Sequence, residues 1–163
     1  MLKELARRVG TFVSVQVEIL SAFDPPEESF DAVRGQYHAG VLLKHLSAHY
    51  PGYFRVVGIT SYDLFLPIFT HVYGEAQMDG HAALVSLFRL AEHDANRVVE
   101  RELLPDRALK VALHELMHTF GLVHCRHLAC LMRPVIKIVD LDDLSPQLCR
   151  SCRNSCEQVL SLF

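Results

Sequence analysis

The stretch His114-Glu115-Leu116-Met117-His118-Thr119-Phe120-Gly121-Leu122-Val123-His124 has the form HExxHxxGxxH, and the rest of the chain is read outward from it. Histidines four apart on a helix project from one face, so both imidazoles can reach one ion, with the Glu115 carboxylate beside them. The spacing of Leu109, Leu113, Leu116 and Phe120 predicts a helix over 106–120 with one apolar stripe, and Pro105 suits the first turn of such a helix. Gly121 lets the chain leave that helix in a left-handed turn that brings His124 round as a third ligand. One position of a tetrahedral zinc then stays open. The chain holds ten histidines in 163 residues, yet the five fixed positions would coincide by accident in only about one such sequence in ten thousand.

The chemistry follows from the ligand set. A zinc ion with three protein ligands lowers the pKa of its water toward ~7 and polarises a carbonyl. Glu115 is placed to take the proton as general base and to pass it to the leaving amine. The expected activity is therefore zinc-dependent hydrolysis of peptide bonds in a peptide or protein substrate, with Glu115 catalytic and His114, His118 and His124 holding the metal. The competing reading is a zinc-stabilised, catalytically inactive module that binds peptides or proteins. It is the weaker of the two, because a closed structural site normally brings a fourth protein ligand and has little use for Glu115.

Downstream, all five cysteines fall in the last quarter of the chain. Cys125 with Cys130, and Cys149 with Cys152, have the spacing and softness of a closed tetrahedral site. They predict a second, structural Zn2+, giving two per chain, that ties the segment after His124 to a carboxy-terminal helix. Cys156 could take the place of Cys152 in the set. Met132, taken alone, is a core residue. The remaining histidines, at positions 38, 45, 49, 71, 81, 93 and 127, lack comparable spacing and are read as surface or packing residues. No tyrosine follows Met132 closely enough to serve as an oxyanion partner.

Composition bounds the rest. Half the residues are hydrophobic, 21% are charged and the net charge is −3, the balance of one folded domain over residues 1–163. Without a basic cluster there is no electrostatic footprint for nucleic acid or an anionic membrane. No apolar run approaches the ~20 residues of a membrane span, and the charged start Met1-Leu2-Lys3-Glu4-Leu5-Ala6-Arg7-Arg8 lacks a secretory pattern. A cytoplasmic monomer is expected, in which thiols stay reduced and free for metal.

Upstream of the motif, a short first helix leads into an alternating strand over Phe12–Ile19, and Asp24-Pro25-Pro26 marks a loop. A helix is predicted from Ser29 to Tyr50, then a strand at Phe54–Ile59 and extended segments at Leu64–Val72 and Ala82–Leu90 around a Met78-Asp79-Gly80 turn. Asp94–Leu103 reads as a short helix and Ser145–Leu160 as the last one. Together these predict an α/β chain of the mixed α+β kind, with helices packed on one twisted mixed sheet.

Past His124 the pattern continues: Cys125 follows directly, Cys130 comes after four residues, Met132 stands two beyond, and Cys149-Arg150-Ser151-Cys152 supplies a CxxC. With Gln36-Tyr37, Gly58-Ile59-Thr60, Asp63-Leu64 and Ser86-Leu87-Phe88-Arg89-Leu90, this resembles the archaemetzincins over most of the chain. The resemblance implies a single metzincin-like domain whose active-site helix is followed by a Cys-rich zinc subregion at 125–156. It implies Met132 as the Met-turn residue, a hydrophobic floor beneath the catalytic metal that does not ligate it. It also likens Ala82–Leu90 to the edge strand on which an extended peptide pairs main chain to main chain. Two features depart from the family pattern. Sixteen residues separate Met132 from Cys149, one fewer than the family spacing, and Cys156 is extra.

Overall fold

The computed structural model describes residues 1–91 and 103–160, with side chains to residue 157. The first helix, α1, runs Leu2–Val13 and turns Leu5 and Val9, four apart, into the core. Ser14 ends it in a left-handed conformation, φ 58°. The strand expected over Phe12–Ile19 does not form. The helix claims Phe12 and Val13, and the residues after them join no strand ladder, with Val15, Val17 and Ile19 exposed. Alternation alone does not make a strand without a neighbour to complete its ladder.

The helix predicted from Ser29 begins ten residues later. Strand β1, Phe30–Asp31, turns through Gly35 (φ 66°) into β2, Gln36–His38, before α2 runs Ala39–His49. Asp31 decides this locally: its Oδ1 accepts from the N–H groups of Val33 at 2.9 Å and Arg34 at 3.0 Å. Such a side-chain turn competes with the helix predicted to begin at Ser29.

Strand β3 is Val56–Thr60, β4 is Leu64–Phe65, β5 is Gly74–Ala76 and β6 is Ala82–Ser86. The α/β class holds, and the described strands divide into two sheets of three. In one, β2 pairs antiparallel with β1 and parallel with β4; in the other, β6 pairs parallel with β3 and antiparallel with β5. This overturns the reading of Ala82–Leu90 as an edge. β6 is the central strand, buried at every residue, and the edge antiparallel to it is β5. The turn at 78–80 joins the two, with Asp79 at φ 52°.

Helix α3, Leu104–Thr119, has Pro105 in its first turn and packs against β6, β5 and α1. Leu109, Leu113, Leu116 and Met117 are all buried, each adding about 1.5–3 kcal/mol by leaving water. The predicted 94–103 helix lies outside the described residues except for Leu103. A short helix not anticipated from sequence, α4 (Ile138–Asp142), is clamped to α3. Arg107 makes paired hydrogen bonds to Asp142 at 2.7 and 2.8 Å, and Lys110 Nζ reaches the carbonyls of Leu141 and Asp142 at 2.9 and 3.0 Å. The last helix, α5, is Arg150–Leu160, starting five residues after the predicted Ser145.

Candidate functional site

His114 and His118 stand one turn apart near the end of α3. His114 Nδ1 donates to the Leu131 carbonyl at 2.8 Å, and His118 Nδ1 donates to the Leu122 carbonyl at 2.6 Å. A carbonyl has no proton to give, so both rings carry hydrogen on Nδ1 and present bare Nε2 lone pairs. Those two Nε2 atoms face each other at 3.1 Å. Two lone pairs at that distance repel unless a cation lies between them. Tetrahedral zinc with Zn–N of about 2.0–2.1 Å would hold its nitrogens about 3.3–3.4 Å apart, so the pair is already near ligand spacing.

The third imidazole arrives as the glycine requires. Gly121 adopts φ 79°, its N–H meets the His118 carbonyl at 2.9 Å, and the chain doubles back. That turn both directs the Leu122 carbonyl onto His118 and brings the His124 ring within 5.3 Å of His114 and 4.9 Å of His118, centroid to centroid. The ligand atoms of the three histidines all lie within 4.8 Å of one another. Burial holds His114 down to about 4 and also lowers His118, so both stay neutral and able to bind a metal. The turn at 78–80 braces the helix end, where Asp79 N–H donates to the His118 carbonyl at 3.1 Å.

Glu115 is buried between α3 and β5. Burial pushes its carboxyl up to about 8, with the charge of Glu75 on β5 adding to the effect. Glu75 is itself raised by burial. A carboxyl kept this dry is basic once ionised, which suits proton transfer near neutrality.

The second cluster is Cys125, Cys130, Cys149 and Cys152, whose sulfurs also lie within 4.8 Å of one another. Cys125 Sγ and Cys149 Sγ are 3.8 Å apart, the separation that a tetrahedral zinc with Zn–S of about 2.3 Å imposes. A hydrogen bond from the Cys152 backbone draws the Cys149 thiol down to about 7. Cys156 is not among them. It is buried in the core with its sulfur 3.7 Å from Met117 Sδ. His127 lies beside the cluster and serves its loop, accepting at Nδ1 from Ala129 N–H at 3.3 Å.

Met132 is fully buried, and its carbonyl accepts from Cys125 N–H at 2.8 Å. Sequence reasoning did not single out Leu131 and Leu122, whose roles are played by backbone carbonyls that any residue carries. It also passed over Gly74 and Glu75, for which no motif exists and which become neighbours of Glu115 only through strand pairing.

Known proteins resemble this chain in sequence and in fold. The profile of Peptidase family M54 matches residues 16–158. The archaemetzincin of Methanopyrus kandleri is 41% identical over 127 residues, covering 78% of this chain and 69% of its own length. That of Methanocaldococcus jannaschii is 33% identical over 152 residues, 93% of this chain and 83% of its own. The crystal structure of the Methanopyrus kandleri archaemetzincin superposes with a TM-score of 0.87 at 35% identity, over 98% of this chain and 86% of that one. The malonate complex of the Archaeoglobus fulgidus archaemetzincin gives 0.82 at 30% identity, over 94% and 90%.

Proposed function

This chain belongs to peptidase family M54, the archaemetzincins, and is a zinc metallopeptidase; from that premise we propose that His114, His118 and His124 hold its catalytic zinc and that Glu115 is its general base. The observation that carries the assignment is the pair of Nε2 lone pairs converging at 3.1 Å, each fixed by an Nδ1–H donated to a backbone carbonyl. Bound there, zinc supplies a Lewis acid for the scissile carbonyl and acidifies water. Glu115 accepts the proton of the attacking water and delivers it to the departing amine. Its buried position beside β5 keeps competing solvent away from that carboxylate.

The peptide is read as lying along β5. Ser86 N–H donates to the Tyr73 carbonyl at 2.8 Å and Gln77 N–H to the Ala82 carbonyl at 3.0 Å. Alternation along an antiparallel ladder then directs the backbone groups of Gly74 and Ala76 away from β6, where an extended substrate could pair with them. Met132 is assigned as the floor of the metal site, supported by its full burial and by its position next to Leu131, which holds His114.

Cys125, Cys130, Cys149 and Cys152 are assigned to a second, structural zinc, giving two per chain and one domain over 1–163 with its Cys-rich part at 125–156. Clustered reduced thiols support a cytoplasmic location, and none of the described helices is long and apolar enough to cross a membrane. The protein is taken to act as a monomer on peptides or proteins and, with net charge −3, to have no affinity for nucleic acid.

The test compares the zinc-loaded protein with its Glu115→Ala variant on a diverse peptide mixture, read by mass spectrometry after zinc contents are matched. Cleavage products that require Glu115 are expected. Equal cleavage by the two proteins would remove Glu115 from the mechanism, and no cleavage by either at neutral to mildly alkaline pH would favour a zinc-stabilised binding module.

A further inference from the structure

We propose that Gly74 is a positioning residue for the general base: the missing side chain at this point of the edge strand is what seats the Glu115 carboxyl group. The proposal rests on the role given to Glu115 above and adds the neighbour that sets its place. A Cβ built on Gly74 would lie 2.6 Å from Glu115 Cγ, 2.9 Å from Glu115 Cδ and 2.7 Å from the Leu84 carbonyl oxygen. Contacts so short force a shift: the flexible Glu115 side chain can swing away from the added carbon, while the Leu84 oxygen, held in the backbone of the central strand, is relieved only by a small displacement of β5.

Backbone freedom is not the reason for a glycine here. The glycines with positive φ are Gly35 and Gly121. Gly74 lies in regular antiparallel register opposite Val85, a conformation any residue adopts. What the position requires is emptiness on the side that faces α3. The same residue turns its peptide groups outward along the substrate edge, so the seat of the group that must reach the attacking water lies directly behind the strand on which the peptide is read. A displacement of Glu115 by about 1 Å costs on the order of 100-fold in rate while leaving the peptide's own contacts in place.

The rival explanation is that Gly74 only lets a strand and a helix approach closely. Three variants separate the two: Gly74→Ala, Glu115→Ala and the double variant, each assayed for zinc content, melting temperature and peptide hydrolysis. Seating of Glu115 predicts that Gly74→Ala keeps its zinc, holds KM within about threefold and loses kcat by about 100-fold. It also predicts that the fall in melting temperature caused by Gly74→Ala shrinks once Glu115 is alanine, because Glu115 Cγ and Cδ are gone and only the Leu84 oxygen still crowds the added carbon. Should Gly74→Ala fail to fold, recovery of folding in the double variant carries the same meaning. A Gly74→Ala enzyme with kcat within about threefold of the parent, an equal melting penalty in both backgrounds, or a double variant that also fails to fold would overturn the proposal. Activity surviving in Glu115→Ala would instead sink the assignment of the base, whatever Gly74→Ala does.

Discussion

His114 and Cys149 are joined by a short relay of backbone groups. His114 Nδ1 donates to the Leu131 carbonyl at 2.8 Å, Leu131 N–H donates to the Gln147 carbonyl at 2.8 Å, and Cys149 N–H lies 3.4 Å from Cys130 Sγ. The thiol cluster is therefore tied to the segment whose carbonyl orients the His114 imidazole. Groups that orient metal ligands are worth 10–100-fold in metal affinity.

Cys149→Ser should accordingly lose the second zinc and weaken zinc at the histidine site by about 10–100-fold, although Cys149 touches none of the three histidines. Competition with a chromophoric chelator measures both. Unchanged affinity at the histidine site would mean that the two centres are independent. Cys156→Ala should keep both metals and cost about 1 kcal/mol of core packing against Met117, whereas Cys152→Ala should lose one. Loss of metal from Cys156→Ala would reverse the choice between these two cysteines.

That choice shows where sequence stopped being legible. Residues 152 and 156 sit one helical turn apart, so spacing could not separate them; packing does, because Cys156 points at Met117. The histidine cluster was readable because a helix repeat and one left-handed glycine fix His114, His118 and His124 within eleven residues. Strand pairing was not. Val15, Val17 and Ile19 alternate as well as any real strand and stay unpaired, while β5 is only three residues long and carries no pattern. The edge was misplaced for the same reason: which strand is outermost depends on pairings between residues far apart in sequence.

Gly121→Ala isolates the backbone contribution to the metal site. The nearest atom to an added Cβ is Asp79 Oδ1 at 3.8 Å, so space is ample and the cost lies in φ 79°. A left-handed alanine costs about 1–2 kcal/mol, and relief of that strain would pull the Leu122 carbonyl off His118 Nδ1. Zinc affinity at the histidine site should fall about tenfold or more, and Gly121→Asn, which tolerates this conformation better, should fall less. Equal affinity in all three proteins would show that the turn does not govern His118.

The metal-free protein should show opposed pH dependences from neighbouring residues. Glu115 is raised to about 8 from 4.5, chiefly by burial. Between those values the folded state binds more protons than the unfolded chain, and stability falls as pH rises. His114, lowered to about 4 from 6.5 by burial, acts the other way: the unfolded chain binds more protons between those values, and stability falls as pH drops. Glu115→Gln removes only the first contribution. It should stabilise the metal-free protein little at pH 5 and progressively more toward pH 8, at about 1.4 kcal/mol per unit of pKa shift. Urea unfolding across that range measures it, and a pH-independent offset between the two proteins would contradict the burial of the Glu115 carboxyl.

The clamp between α3 and α4 holds the metal helix from its other end. Arg107 and Asp142 are almost wholly buried, 3% and 8% exposed, and meet at 2.7 Å, with Arg107 Nη1 also donating to the Leu90 carbonyl at 2.9 Å. Asp142→Ala takes the paired carboxylate from a buried guanidinium and should cost about 3–5 kcal/mol. Replacing both, as Arg107→Met with Asp142→Leu, should cost clearly less, because the buried guanidinium is removed together with its carboxylate. Denaturant midpoints of the two variants decide the point. A double variant as unstable as Asp142→Ala would mean that the hydrogen bonds themselves, and not the desolvation of the guanidinium, hold α4 on the helix that carries His114 and His118.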